Sequence, residues 1–144
     1  MSQPSIQNAS PQVVQTLALE NGACLEVIDA SRPLAGDRWQ VNAVFRVTVP
    51  VIEAVLAGGS AHLELGEVRR RVGDRVVFEK RLERTFIAAQ EKDLLFDRTV
   101  ARYLEGALDY LSRPTFARNL VMRRYQQALK PFFHPRQEET DAHR

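Results

Sequence analysis

The segment from Trp39 to Val49 constrains the fold more than any other part of the chain, because apolar and polar residues alternate along it. Side chains on a strand point alternately to the two faces of a sheet, so this pattern predicts a strand with one face against a core and the other near water. We expect it to be the central strand of the sheet. The predicted inner side carries only apolar residues: Trp39, Val41, Ala43, Phe45, Val47 and Val49.

A hairpin is predicted before this strand. Val13 to Glu20 alternates, Cys24 to Ile28 is typical of a second strand, and Asn21-Gly22 lies between them. Asn-Gly favours a type I′ turn, in which both central residues have positive φ. The next segment, from Arg32 to Arg38, contains proline and glycine and is predicted to be a turn that reverses the chain.

Two helices are predicted between Pro50 and Gly73. A short helix follows Pro50, and a second one is expected from Ser60 to Val72, with Ser60 as a plausible N-cap and Gly73 at its end. The alternative is a strand at Leu63–Leu65 followed by a hairpin at Gly73-Asp74.

A fourth strand is expected from Arg75 to Ile87, where alternation returns. If a helical crossover leads into it and it joins the same sheet, it runs parallel to the first and third strands. The sheet would then be mixed.

Two amphipathic helices are predicted after the last strand. Apolar residues recur at helical spacing from Phe96 to Leu111, and again after Pro114, which can occupy the first position of a new helix. We expect Pro131 to end the second helix and Phe132 and Phe133 to fold back on the core.

These elements predict an α+β fold. We expect a two-layer sandwich, in which a four-stranded, mostly antiparallel sheet (a meander plus one crossover strand) is covered on one face by C-terminal helices. The predicted organisation is a mobile tail at 1–11, one domain at 12–133 and a disordered charged tail at 134–144.

Composition limits the class of protein. The 144 residues contain no apolar run long enough to span a membrane, and the N-terminus does not resemble a secretory signal. One cysteine, Cys24, cannot form an internal disulfide, so a cytoplasmic location is the default expectation. The net charge is only +2, but residues 113–136 contain six basic residues and no acidic one.

The sequence contains no motif that indicates catalysis, a metal site or a cofactor. Its three histidines and one cysteine do not have the spacing of zinc ligands, and phosphate-binding and nucleophile-elbow motifs are missing. We therefore expect no catalytic residues, no metal and no cofactor, and regard an enzyme as the less favoured class. Lys80 and Arg84, four apart on the predicted apolar side of a strand, are a candidate anion-binding pair. The alternative is that their stems cover apolar surface while the charges reach water.

The basic final helix has three interpretations: a solvated face, a protein interface or a surface that binds nucleic acid. Its apolar arc is wider than one contact with a sheet requires. This favours association with a protein, either a second copy of this chain, plausibly as a homodimer, or another protein.

The leading hypothesis is a small non-enzymatic protein-binding domain. Nucleic-acid binding by 113–136 and binding of a small anion near Lys80 and Arg84 are the alternatives, and no membrane partner is expected. The candidate interface or nucleic-acid contacts are Arg118, Met122, Arg123, Arg124 and Lys130.

Overall fold

A computed structural model describes residues 10–57 and 63–130. The chain has an α+β fold, in which an antiparallel sheet packs with C-terminal helices. The strands are β1 (Gln12–Ala18), β2 (Cys24–Asp29), β3 (Arg32–Ala35), β4 (Arg38–Pro50) and β5 (Arg75–Ala88). The helices are α1 (Glu53–Leu56), α2 (Leu65–Val72), α3 (Lys92–Leu111) and α4 (Pro114–Ala128), with one 3-10 turn at Ala89–Glu91 before α3.

Strand β4 is the centre of the sheet, as the alternation predicts. It pairs with β2 and β3 along one edge and with β5 along the other, and β1 pairs with β2. The inner side chains of β4 from Val41 to Val49 are fully buried, and residues of α3 and α4 lie in the same core cluster. Burying this apolar row between sheet and helices is the main favourable contribution to folding.

The hairpin between β1 and β2 is confirmed, but the expected type I′ turn is wrong. Gly22 has φ of 91°, whereas among the described non-glycine residues only Phe86 has positive φ, so Asn21 does not. The Gly22 N–H donates to the Leu19 carbonyl at 3.1 Å, and the Leu19 N–H donates to the Ala23 carbonyl at 2.9 Å. The loop is therefore a tight turn followed by a left-handed glycine, which needs positive φ only at Gly22.

The segment predicted as a turn at Arg32–Arg38 is largely a strand. Strand β3 pairs with β4, and only Gly36 and Asp37 turn the chain. Strands β2 and β3 follow the same edge of β4, interrupted where the Ser31 hydroxyl accepts a hydrogen bond from the Asn42 N–H at 3.0 Å. Pro33 is tolerated here because proline is accommodated in strands at an edge of a sheet.

The expected parallel pairing of the fourth strand is also wrong, because β5 is antiparallel to β4 along its whole length. Helices α1 and α2 bring the chain back to the end of β4 that it left. The Val51 N–H donates to the Asp74 carbonyl at 2.8 Å, and Pro50 pairs with Arg75. The helices are thus inserted between the strands of a hairpin and do not form a crossover.

Residues 65–72 form a helix, so the alternative hairpin at this position is wrong. Helix α2 begins later than predicted: Glu64 is its N-cap, and its carboxylate accepts a hydrogen bond from the Glu67 N–H at 2.9 Å. Gly73, with φ of 93°, ends the helix as expected. Ser60 lies outside the described residues.

Helices α3 and α4 are confirmed, with the break between Leu111 and Pro114. Helix α3 lies over β4, whereas α4 packs against α1, α2 and β5. No helix in the described ranges is long and apolar enough to cross a membrane. The predictions for Pro131, Phe132 and Phe133 and for most of the two tails fall on residues 1–9 and 131–144, outside the described part of the chain.

Candidate binding cleft beside helix α3

A cleft of about 650 Å³ lies between β5 and α3, on the face of the sheet that the helices cover. Its apolar floor includes Val41, Leu82 and Tyr103. Three arginines line it: Arg84 from β5, and Arg98 and Arg102 from α3. Two carboxylates, Glu83 and Glu105, also contribute to the walls.

The backbone explains why the three arginines meet. Arg84 pairs with Val41, whose side chain is in the core, so Arg84 belongs to the helix-covered face. Arg98 and Arg102 are four residues apart on α3 and therefore lie on one side of that helix. Within residues 10–57 and 63–130, none of the three takes part in an ion pair. Their charge is available to a group from outside.

A bulge in β5 follows directly after Arg84. Val41 pairs with Arg84 but Trp39 pairs with Ile87, so β5 contains one extra residue between these positions. Phe86 adopts φ of 68° in this bulge and is 65% exposed, with the Arg38 guanidinium 5.6 Å from its ring centroid. Bulges bend a strand and change the direction of its side chains, and this one lies beside the cleft.

The predicted anion-binding pair is only half present in the cleft. Arg84 lines it, but Lys80 does not. Lys80 is partly buried and pairs with Phe45, whose ring contacts Tyr103 of α3 with centroids 4.2 Å apart. Sequence analysis did not predict Arg98 and Arg102 as partners of Arg84. The available signal was their four-residue spacing on a helix expected to cover the same face of the sheet.

The candidate residues on α4 lie in different environments. Arg118 Nε donates to the Leu56 carbonyl at 3.3 Å, and an Arg124 guanidinium nitrogen donates to the Val77 carbonyl at 2.6 Å. Arg123 and Lys130 are exposed, and Met122 is half-buried.

The wide apolar arc of α4 is used inside the molecule. Its side chains pack in the core where α4 meets α1, α2 and β5, which explains an apolar arc broader than contact with a sheet alone needs. The fully buried or nearly buried members are Phe116, Ala117, Leu120 and Val121.

Glu67 of α2 connects α2 to α4. Its carboxylate accepts hydrogen bonds from Arg71 at 3.0 Å and from the Tyr125 hydroxyl at 3.3 Å, and it also pairs with Arg70. The hydrogen bond from Arg71, with the charge of Arg70 and the Tyr125 hydroxyl, lowers the pKa of Glu67 against the opposing effect of burial. Burial, and then the Glu67 carboxylate, raise the pKa of Tyr125. This polar group joins two helices and does not face the cleft.

A second cleft, of about 720 Å³, lies on the other flank of α3, towards β1. Asp29 of β2 and Asp93 and Asp97 of α3 line it, together with the exposed Val14 of β1. In the described ranges, no group of His, Cys, Asp and Glu side chains is arranged to hold a metal ion. Helix α3 therefore separates an arginine-lined cleft from an aspartate-lined one.

Comparisons of the chain with protein-family models, with curated proteins and with solved structures find no match.

Proposed function

We propose that the protein is a non-enzymatic binding domain that recognises carboxylate groups on a protein partner through the cleft between β5 and α3. The observation that carries this proposal is the convergence of Arg84, Arg98 and Arg102 on one cleft without an ion-pair partner in the described part of the chain. A guanidinium offers paired N–H donors that match the two oxygens of a carboxylate.

The walls of the cleft favour a protein over a polyphosphate. Three arginines against Glu83 and Glu105 leave a net charge of 3 − 2 = +1 in the cleft, which suits isolated carboxylates better than closely spaced phosphates. Leucine, tyrosine and arginine occur side by side here, and aromatic residues and arginine are enriched at protein interfaces.

A labelled peptide of alternating glutamate and leucine tests the proposal by fluorescence anisotropy at about 50 mM salt. We expect Arg84→Ala with Arg98→Ala to weaken binding about tenfold or more, a loss of at least about 1.4 kcal/mol. The matched control, Arg123→Ala with Lys130→Ala, removes the same charge from the exposed part of α4 and its end, and should leave the affinity unchanged. Equal loss in the two variants, or no binding by the unaltered protein at a concentration at which it is monomeric, would contradict the proposal.

The same two double variants also test whether residues 113–136 bind nucleic acid. That alternative depends on Arg123 and Lys130, since Arg118 and Arg124 are engaged by backbone carbonyls. It predicts a salt-sensitive gel shift that the α4 variant loses and the cleft variant keeps.

A further inference from the structure

We infer that the carboxylates recognised by the arginine-lined cleft belong to a second copy of this chain. They are the aspartates that line the cleft on the opposite flank of α3. This inference rests on the proposed function and names its partner. In the resulting dimer, Arg98 of one protomer faces Asp97 of the other, and Arg102 and Asp93 flank this pair one helical turn away on either side.

The first argument is that both halves of such an interface are present on one helix. Arg98 and Arg102 line the cleft towards β5, whereas Asp93 and Asp97 line the cleft towards β1. Arg98 and Asp97 are adjacent in sequence, so they differ by only about 1.5 Å in height along the helix axis, whereas Arg102 and Asp93 lie one turn beyond this pair in opposite directions.

The second argument is symmetry. Most homodimers have a two-fold axis, which sets one surface patch of each protomer against the same patch of its partner. A two-fold axis parallel to α3 exchanges the flanks of the helix, so the aspartate flank of each protomer meets the arginine flank of the other on both sides. An axis perpendicular to α3 within the interface sets like charges against each other and is unfavourable. The dimer therefore has its two α3 helices side by side and parallel.

The third argument is the exposed apolar surface along the same contact. Leu94 of α3 is 58% exposed, and Val14 on the aspartate side is 51% exposed. Ala101 lines both clefts and lies between the charged flanks. Its small side chain lets the two helices approach closely, and Leu94 and Val14 are removed from water when they do.

Sedimentation velocity of the full chain at about 100 µM and about 50 mM salt is the first measurement, because dimer formation depends on concentration and on ionic strength. We expect a dimer that weakens at high salt. Two charge-reversed variants follow. The first, Arg98→Asp with Arg102→Asp, makes both flanks acidic; the second, Asp93→Arg with Asp97→Arg, makes both flanks basic.

Each variant alone should be a monomer, and an equimolar mixture of the two should form a heterodimer, because acidic flanks then meet basic flanks on both sides. The control Arg123→Asp with Lys130→Asp changes the net charge as much as the first variant and should remain dimeric. Since Asp93 also pairs with Lys92 at 2.9 Å, circular dichroism melting must show that both variants are folded. If either is unfolded, Asp97→Arg alone and Arg98→Asp alone take their places.

The outcomes separate this inference from the proposed function. A monomeric unaltered protein that still binds the acidic peptide through Arg84 and Arg98 overturns the second-copy partner and leaves the function standing. A monomer that does not bind the peptide overturns both. If both charge-reversed variants remain dimeric, the proposed dimer interface along α3 is overturned. If the inference holds, the variant with two basic flanks has an empty cleft and binds the peptide more tightly than the unaltered protein.

Discussion

At the scale of single residues, Asn21 shows how one side chain can fix the arrangement of two distant elements. Its amide nitrogen donates to the Leu111 carbonyl at 2.8 Å and the Arg113 carbonyl at 2.9 Å, while its amide oxygen accepts from the Ala23 N–H at 3.0 Å. The turn between β1 and β2 is thereby tied to the end of α3, where backbone carbonyls lack helical partners. Asn-Gly predicted the hairpin from the sequence, but this second role depends on tertiary structure.

Asn21→Asp isolates that role. The aspartate keeps the acceptor for Ala23 but replaces the donor with a negatively charged oxygen beside the carbonyl end of a helix. We expect a loss of about 2–4 kcal/mol in the free energy of unfolding, from two lost hydrogen bonds and the unfavourable helix dipole. Urea denaturation measures it. The same exchange at the exposed Asn119 should change stability by no more than about 0.5 kcal/mol, and an equal effect at both sites would contradict the assigned role.

At the scale of elements, the arginines of α4 differ in their contacts with the rest of the fold. Arg124 donates a hydrogen bond to the Val77 carbonyl at the start of β5, whereas its neighbour Arg123 is exposed.

Arg124→Gln should lower the free energy of unfolding by about 1.5–3 kcal/mol, the range for hydrogen bonds that involve a charged group. Arg123→Gln is the matched control, with an expected change within about 0.5 kcal/mol. Thermal and urea unfolding of the two variants provide the comparison, and a reversed order would show that α4 is not anchored to β5 in this way.

The contact between α2 and α4 predicts a dependence of stability on pH. The pKa of Glu67 is lower in the folded chain than in the unfolded one, so its contribution is present above the unfolded pKa and is lost as pH falls through the folded pKa. The pKa of Tyr125 is raised, so its contribution is present below the unfolded pKa and is lost as pH rises through the folded pKa. Stability from this pair is therefore greatest between the two pKa values.

Glu67→Gln should remove the part of the pH dependence in which stability is lost as the pH falls. Plotted against pH, the urea midpoint of the unaltered protein should fall more steeply below about pH 5 than that of the variant. Glu64→Gln is not a suitable control, because Glu64 caps α2. Glu105→Gln, at an exposed position on α3, serves instead and should leave the slope unchanged. A slope unchanged by Glu67→Gln would exclude the carboxylate as its source.

At the scale of the whole molecule, local patterns predicted the elements better than their mutual arrangement. Alternation along β4 and β5 and helical spacing in α3 and α4 depend on neighbouring residues, and these elements are present. Strand β3 was missed because Pro33 and Gly36 are typical of a turn, while its pairing with β4 is a non-local contact. The direction of β5 depended on where α2 returns the chain, which no short pattern specifies.

The cleft was predictable only in part for the same reason. Alternation placed Arg84 on the inner face of its strand correctly, but the position of α3 across the sheet brings Arg98 and Arg102 to it. Likewise, the broad apolar arc and the basic residues of α4 were visible in the sequence. Their contacts within the fold could not be predicted, because the packing partners α1, α2 and β5 lie far away along the chain.

The composition of β5 has a consequence for how this protein avoids aggregation. In the described part of the chain β5 pairs only with β4, so it forms an edge of the sheet, and unpaired edges can recruit strands from other molecules. Charged side chains of both signs occupy five of the six positions of this edge strand from Glu79 to Arg84. The Arg124 guanidinium donates to the Val77 carbonyl near the start of the strand, and the bulge at Phe86 interrupts the strand near its end. Charges and bulges are two ways in which natural sheets prevent edge-to-edge growth. Assembly by strand addition at β5 is therefore disfavoured.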